Sequence, residues 1–106
     1  MLIYNTTYHV EESDARNFLI WLTERYIPAV LSSGMLRSPK LSDVLSHNEP
    51  GSKTYTLQWE VDDSRTLHQW HTKQGCGLNE ELLRAFKNKV VGFPTLLESI
   101  ELPQYD

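Results

Sequence analysis

Residues 53–61 (KTYTLQWEV) alternate between polar and bulky apolar side chains along most of their length, and this alternation constrains the fold more than any other feature. The apolar positions are Tyr55, Leu57, Trp59 and Val61, and the polar positions are Thr54, Thr56, Gln58 and Glu60. Because successive side chains of a strand point to opposite faces, the alternation predicts one apolar and one polar face. The strand therefore belongs to a sheet that the rest of the chain covers on one side only.

Three other segments have the composition of strands. They are MLIYNTTYHV (1–10), the weaker KLSDVLS (40–46) and FPTLLESIEL (93–102), in which Pro94 indicates an edge strand. Between them, apolar residues recur at helical spacing over 14–33 and over 64–89. Pro28 predicts a kink in the first helix, and the two glycines of GCG predict a break in the second helix near 75–77.

The resulting order, β-α-β-β-α-β, predicts a ferredoxin-like α+β fold. In this fold a four-stranded antiparallel sheet carries both helices on one face. A chain of 106 residues is too short for two independent cores, so residues 1–106 are expected to form one domain.

The sheet face opposite the helices is expected to carry an unusually polar set of side chains. This set is Asn5, His9, Gln58 and Glu60, accompanied by the apolar Ile3, Phe93 and Leu97. One interpretation is a solvated surface. The interpretation favoured here is a homodimer whose two open faces meet, because symmetric dimers are the commonest assembly and a small domain gains most from one. The polar set would then hydrogen-bond across the interface, or its His and Glu would shift each other's pKa.

Four segments together carry a resemblance to a known family: MLIYNTTYHVEES, FLIWLTERYIPAVLSSG, YTLQWEV and FPTLLESIEL. In this order they resemble a bacterial family of domains of unknown function with a ferredoxin-like, dimeric α/β-barrel fold. The resemblance implies that fold and a homodimer, and it brings no activity, cofactor or catalytic residue. The wider dimeric α/β-barrel group contains cofactor-independent oxygenases, isomerases and ligand-binding regulators, which extend to this chain by analogy of fold alone.

The segment LHQWHTKQGCG (67–77) concentrates the residues with the most reactive side chains. His68 and His71 share one side of a helix but lack the further ligands that zinc needs, so no metal site is predicted. Cys76, between two glycines, is a candidate reactive thiol. Helical spacing turns Trp70 and His71 toward the core, and a plain helix carrying these side chains is the simpler interpretation.

Aromatic residues are numerous for so small a core, and they allow two interpretations. They either fill the core or line a ligand pocket, whose candidate walls are Tyr8, Trp59, Trp70 and His71. A cavity of more than about 300 Å³ between these side chains would favour the pocket. The leading functional hypothesis is a homodimer that binds a ligand or a protein partner. The alternative is a cofactor-independent, oxygenase- or isomerase-like enzyme acting on a planar or aromatic substrate, and a regulator responding through the 67–77 segment is a weaker third.

Net charge and composition restrict the classes of partner that we expect the protein to bind. A net charge of −4 with scattered basic residues argues against nucleic acid and anionic membranes. No apolar stretch approaches the roughly 20 residues of a membrane span, and the first residues lack the pattern of a secretory signal. A single cysteine cannot form an internal disulfide. We therefore expect a cytoplasmic protein that needs no cofactor.

Overall fold

The computed structural model describes residues 1–46 and 48–105, and it has the predicted order of elements. The strands are β1 (Leu2–Glu11), β2 (Arg37–Asp43), β3 (Ser52–Val61) and β4 (Val90–Glu98). They form one antiparallel sheet in the order β2-β3-β1-β4, so β2 and β4 are its edges. The predicted α+β architecture is confirmed. The limits of the outer strands differ, because a bulge in β2 and the Gly92 and Pro94 of β4 obscure their alternation.

Each long helix is two α-helical segments joined by a π turn. The first helix consists of α1 (Ala15–Trp21), a first π turn (Leu22–Tyr26) and α2 (Ile27–Ser33). The second consists of α3 (Ser64–Trp70), a second π turn (His71–Gly75) and α4 (Cys76–Phe86). The irregularity predicted at Pro28 lies in the turn just before it, where the Ile27 N–H bonds to the Leu22 carbonyl. Pro28 has no N–H of its own to continue a regular ladder.

The break predicted near 75–77 needs a correction, because the second helix continues through the glycines. Gly75 has φ −58° and ψ −41°, and Cys76 has φ −59° and ψ −45°, both helical values. The irregularity is the π turn that ends at Gly75. Glycine costs a helix only about 1 kcal/mol relative to alanine, and packing readily offsets that amount.

The core lies between the two helices and the sheet. The prediction for β3 is confirmed, since Tyr55, Leu57, Trp59 and Val61 are all buried. Phe18 of α1 sits at the centre of an aromatic cluster, with its ring 4.9 Å from that of Tyr8 and 5.8 Å from that of Phe86. No helix in the described part of the chain is long and apolar enough to cross a membrane.

The open face of the sheet carries the side chains assigned to it from the sequence. Strand pairing sets Asn5 opposite Gln58 on one side of β1 and Ile3 opposite Leu97 on the other. Phe93 lies opposite Thr7 on the same face. The odd-numbered positions of β4 therefore do share the face of the polar set.

The start of the second helix yields a pH-dependent prediction. The Thr66 N–H donates to Asp63 Oδ1 at 2.7 Å, and this bond holds the pKa of the Asp63 carboxyl below its usual value. The stability it contributes is present above the ordinary pKa of about 3.9 and is lost as pH falls through the lower folded value. Asp63→Ala is therefore expected to lower the melting temperature at neutral pH.

Thermal unfolding of both proteins from neutral pH to below about pH 3 checks this prediction, because the difference should shrink in acid. Asp63→Asn keeps an oxygen that can accept the hydrogen bond, so its melting temperature at neutral pH should be closer to that of the wild type. A difference between Asp63→Ala and wild type that is constant over the whole range would contradict the assignment.

Candidate functional site

A cavity of about 250 Å³ separates the second helix from the helix-facing side of the sheet. It is lined by Tyr4, Thr6, Tyr8, Trp21, Tyr26, Trp70, His71, Gly75, Leu78, Asn79, Leu82, Gly92 and Pro94. Of these, His71, Asn79, Gly92 and Pro94 are exposed, so the mouth lies between the second helix and the edge strand β4. The volume is below the roughly 300 Å³ given above as favouring a pocket, so that criterion is not met, and the space is sufficient only for a small ligand.

The helical wall is shaped by the two π turns. Tyr26 is the last residue of the first π turn, and His71 and Gly75 begin and end the second. A π turn inserts one residue and rotates the side chains that follow it, which is why such turns recur at functional sites.

A hydrogen-bond relay holds this wall in place. Trp70 Nε1 donates to Gln74 Oε1 at 2.7 Å, and Gln74 Nε2 donates to the Ala29 carbonyl at 2.9 Å. The relay ties the second helix to α2 and fixes the plane of the Trp70 indole. The cavity wall is therefore held by bonds within the fold.

Two glycines that line the cavity, Gly75 of the second π turn and Gly92 of β4, lie directly against aromatic rings. A Cβ on Gly75 would lie 2.8 Å from Cζ3 of Trp70 and 3.1 Å from Nδ1 of His71. A Cβ on Gly92, which pairs with Tyr8 across β1 and β4, would lie 3.2 Å from Cδ1 and Cε1 of the Tyr8 ring. Both positions leave room for the rings because they lack a side chain.

The described lining has one basic side chain, that of His71, which lies at its mouth. The lining residues of the described chain include no Asp, Glu, Lys or Arg. Burial raises the pKa of Tyr8 to about 12, with a further contribution from Tyr4. Burial likewise raises the pKa of Tyr26 far above its usual value, and that of Tyr4 to a smaller degree. The phenols therefore remain protonated and offer both a donor and an acceptor.

The structure brings His71 and Cys76 together at the mouth of the cavity. His71 Nε2 lies 3.2 Å from the Cys76 Sγ, within hydrogen-bonding distance of a thiol, and Cys76 is exposed. His68 is exposed and does not line the cavity. Within residues 1–46 and 48–105 no three His, Cys, Asp or Glu side chains lie close enough together to hold a metal ion.

Three of the four candidate pocket residues line the cavity: Tyr8, Trp70 and His71. Trp59 is buried in the core and is not among the lining residues. Sequence reasoning missed the contributions of Thr6, Asn79 and Gly92. Thr6 could have been identified from the alternation of β1, which places it on the same face as Tyr8. No local sequence pattern marks Asn79 or Gly92.

The candidate polar set lies on the opposite face of the sheet. His9 Nδ1 lies 3.2 Å from Thr54 Oγ1, and the His9 ring packs edge-on against Phe93 at 5.6 Å. Asn5 and Gln58 are direct neighbours across β1 and β3. Glu60 pairs with Ile3, near the other end of β1 from His9, so these two side chains do not meet within one chain.

Comparison with known proteins gives a family and a fold. Residues 1–100 match the sequence model of a family described as Domain of unknown function (DUF4286). No curated protein matches the sequence significantly.

Three solved structures share the fold over nearly the whole chain. A "putative antibiotic biosynthesis monooxygenase" from Deinococcus radiodurans is 18% identical, with a TM-score of 0.73 and coverage of 100% of this chain and 99% of that one. HapK from Hahella chejuensis is 12% identical, with a TM-score of 0.71 and coverage of 100% and 99%. A dimeric ferredoxin-like protein from an uncultured marine organism is 17% identical, with a TM-score of 0.67 and coverage of 99% and 100%. At these identities the likeness extends to the fold alone, which is ferredoxin-like.

Proposed function

We propose that this chain, which belongs to the DUF4286 family of domains of unknown function, is a homodimeric protein that binds a small molecule between its second helix and its sheet. The observation that carries the proposal is the cavity of about 250 Å³ with an aromatic, hydrogen-bonding lining. Protein interiors are otherwise close-packed, and a well-formed cavity with a few convergent polar groups is the usual form of a ligand site.

Ligand binding is tested with one- and two-ring aromatic compounds, observed through the indole N–H signals of the three tryptophans in a ¹H–¹⁵N spectrum. The signals of Trp21 and Trp70, which line the cavity, should shift, and that of Trp59 should serve as an internal reference. If every compound leaves Trp21 and Trp70 unmoved, the cavity is not a ligand site.

A matched pair of variants locates the binding. Gly92→Leu places a side chain against the Tyr8 ring inside the cavity and should abolish the shifts, whereas Gly77→Leu extends into open space, where no atom lies within 4 Å of the added Cβ. Circular dichroism shows whether both variants are folded. Equal binding by the two variants would place the ligand elsewhere.

The homodimer rests on the open face of the sheet. Val91, Phe93 and Leu97 expose between 44% and 53% of their surface there, on an edge strand beside Ile3. Apolar side chains clustered on one face favour a protein contact, and the described dimeric ferredoxin-like neighbours support a second copy as the partner.

Phe93→Glu is expected to weaken the dimer at least about 100-fold, because each copy would bury a carboxylate in an apolar contact with only the His9 imidazole beside it. Native mass spectrometry and light scattering over a range of concentrations measure the effect. The control is Leu83→Glu, because Leu83 on α4 is 51% exposed against 53% for Phe93. A wild-type monomer, or a Phe93→Glu dimer as tight as that of Leu83→Glu, would disprove this interface.

The second candidate function is a cofactor-independent enzyme acting on a planar or aromatic substrate. It is favoured by the position of His71, whose ring reaches the cavity beside Gly75 while its Nε2 contacts Cys76. An imidazole so placed is within reach of a bound ligand and can act as a general acid or base. His71→Gln should then remove turnover of a bound compound in air while retaining its binding, whereas a wild type that binds without turnover supports the binding function.

We also propose that the protein is located in the cytoplasm of a bacterium. The single cysteine is unpaired and exposed, which suits a reducing compartment.

A further inference from the structure

We infer that the cavity selects an uncharged planar ligand bearing a hydroxyl or carbonyl group, and that Tyr8 and Tyr26 recognise this group. The inference rests on the proposed function and names the ligand class for the same site.

Two of the hydroxyl-bearing side chains that line the cavity, those of Tyr8 and Tyr26, come from different elements. Tyr8 comes from β1 and Tyr26 from the first π turn, and they expose only 4% and 7% of their surface. The described lining contains no Asp or Glu, so no carboxylate there takes up the proton of either phenol. Each phenol therefore offers a ligand one donor and two lone pairs.

The charge of the ligand follows from the lining. A bound cation would find no Asp or Glu in the described lining, and a bound anion would find no Lys or Arg and only the imidazole of His71, which lies at the exposed mouth. An unpaired charge transferred from water into such a site is strongly disfavoured. The site therefore favours a neutral molecule.

The shape of the ligand follows from the rings. Trp21 and Trp70 present aromatic surface, with Tyr4 edge-on to Trp70 at a ring separation of 6.0 Å, and Leu78 and Leu82 add apolar surface. Aromatic faces and edges pack well against a flat π system.

The requirement for a polar group follows from the cost of excluding water. A hydrocarbon that fills the cavity removes water from the phenols and gives them no partner in return. A ligand with a hydroxyl or carbonyl restores the bond. Sites with buried hydrogen-bonding groups reject analogues that lack the matching group for this reason.

The test compares three compounds of similar size: 1-naphthol, 1-methylnaphthalene and 1-naphthoate. Affinities are read from the Trp21 and Trp70 indole signals at neutral pH in the wild type and in Tyr8→Phe, Tyr26→Phe and Tyr55→Phe. Tyr55 is the matched control, because it is as buried as Tyr8 but does not line the cavity.

The expected result is that 1-naphthol binds at least about tenfold more tightly than 1-methylnaphthalene, with 1-naphthoate weakest. The preference should fall toward unity in Tyr8→Phe or Tyr26→Phe and persist in Tyr55→Phe. Equal affinity for the alcohol and the hydrocarbon, tightest binding of the carboxylate, or a preference unchanged in both cavity variants would overturn the inference while leaving a ligand site in place. If none of the three compounds shifts either signal, the inference fails, and the proposed function fails only if the wider aromatic panel is silent too.

Discussion

Phe18→Ala is expected to lower the free energy of unfolding by about 3–5 kcal/mol, the usual range for truncating a buried aromatic side chain. Phe18 is completely buried, and its ring packs against Tyr8 of β1, Phe86 of α4 and Tyr55 of β3. Truncation removes the apolar surface that joins both helices to the sheet and leaves a void that close-packed neighbours fill only in part. Domains of this size are stable by about 5–15 kcal/mol, so the loss is a large share of the total.

Urea denaturation at a fixed protein concentration measures this effect, since the proposed dimerisation would make stability depend on concentration. The control is Leu83→Ala on the exposed side of α4, which should change the free energy of unfolding by no more than about 0.5 kcal/mol. A loss below about 1 kcal/mol for Phe18→Ala would show that the ring is not enclosed as described.

Two glycines of the second helix are expected to respond to the same substitution with opposite signs. Gly77 meets no atom within 4 Å of an added Cβ, so Gly77→Ala should stabilise the protein by about 0.5–1 kcal/mol through the better helix propensity of alanine. Gly75→Ala should instead destabilise it by about 1–3 kcal/mol, because its Cβ would lie 2.8 Å from the Trp70 ring.

The clash at Gly75 has a second consequence that separates it from simple loss of stability. Trp70 is held by its bond to Gln74, so the indole cannot move without breaking the relay to Ala29. The Trp70 indole N–H signal should therefore shift in Gly75→Ala and stay in place in Gly77→Ala, and ligand affinity should fall only in the former. Equal effects of the two substitutions on stability would show that the contact between Gly75 and Trp70 is absent in solution.

The sheet was predictable because its signal is local. In β3 the period-2 alternation alone names the four buried apolar residues, and strand pairing then places Asn5 opposite Gln58 as the topology requires. The outer strands were harder to predict. Gly92 and Pro94 interrupt the pattern of β4 for a reason that is not local, since both positions face the cavity.

The glycines of GCG were misread for a related reason. From the sequence alone, glycine in a helix indicates a break, since nothing reveals which ring lies against it. In the structure Gly75 is a contact surface for Trp70, and the helix continues through it as a π turn. Trp59 was assigned to the pocket for the same reason, since the sequence does not show that this side chain is buried in the core.

By itself the sequence determined the order of elements and the faces of the central strands, because each of these depends on side chains close together in the chain. Tertiary structure alone decided that a cavity exists, that Tyr8 and Tyr26 both line it, and that His71 reaches its mouth beside Cys76. Cavities are differences between the volume that packed elements enclose and the volume that side chains fill. Such a difference is set by contacts between distant segments, and no local pattern encodes it.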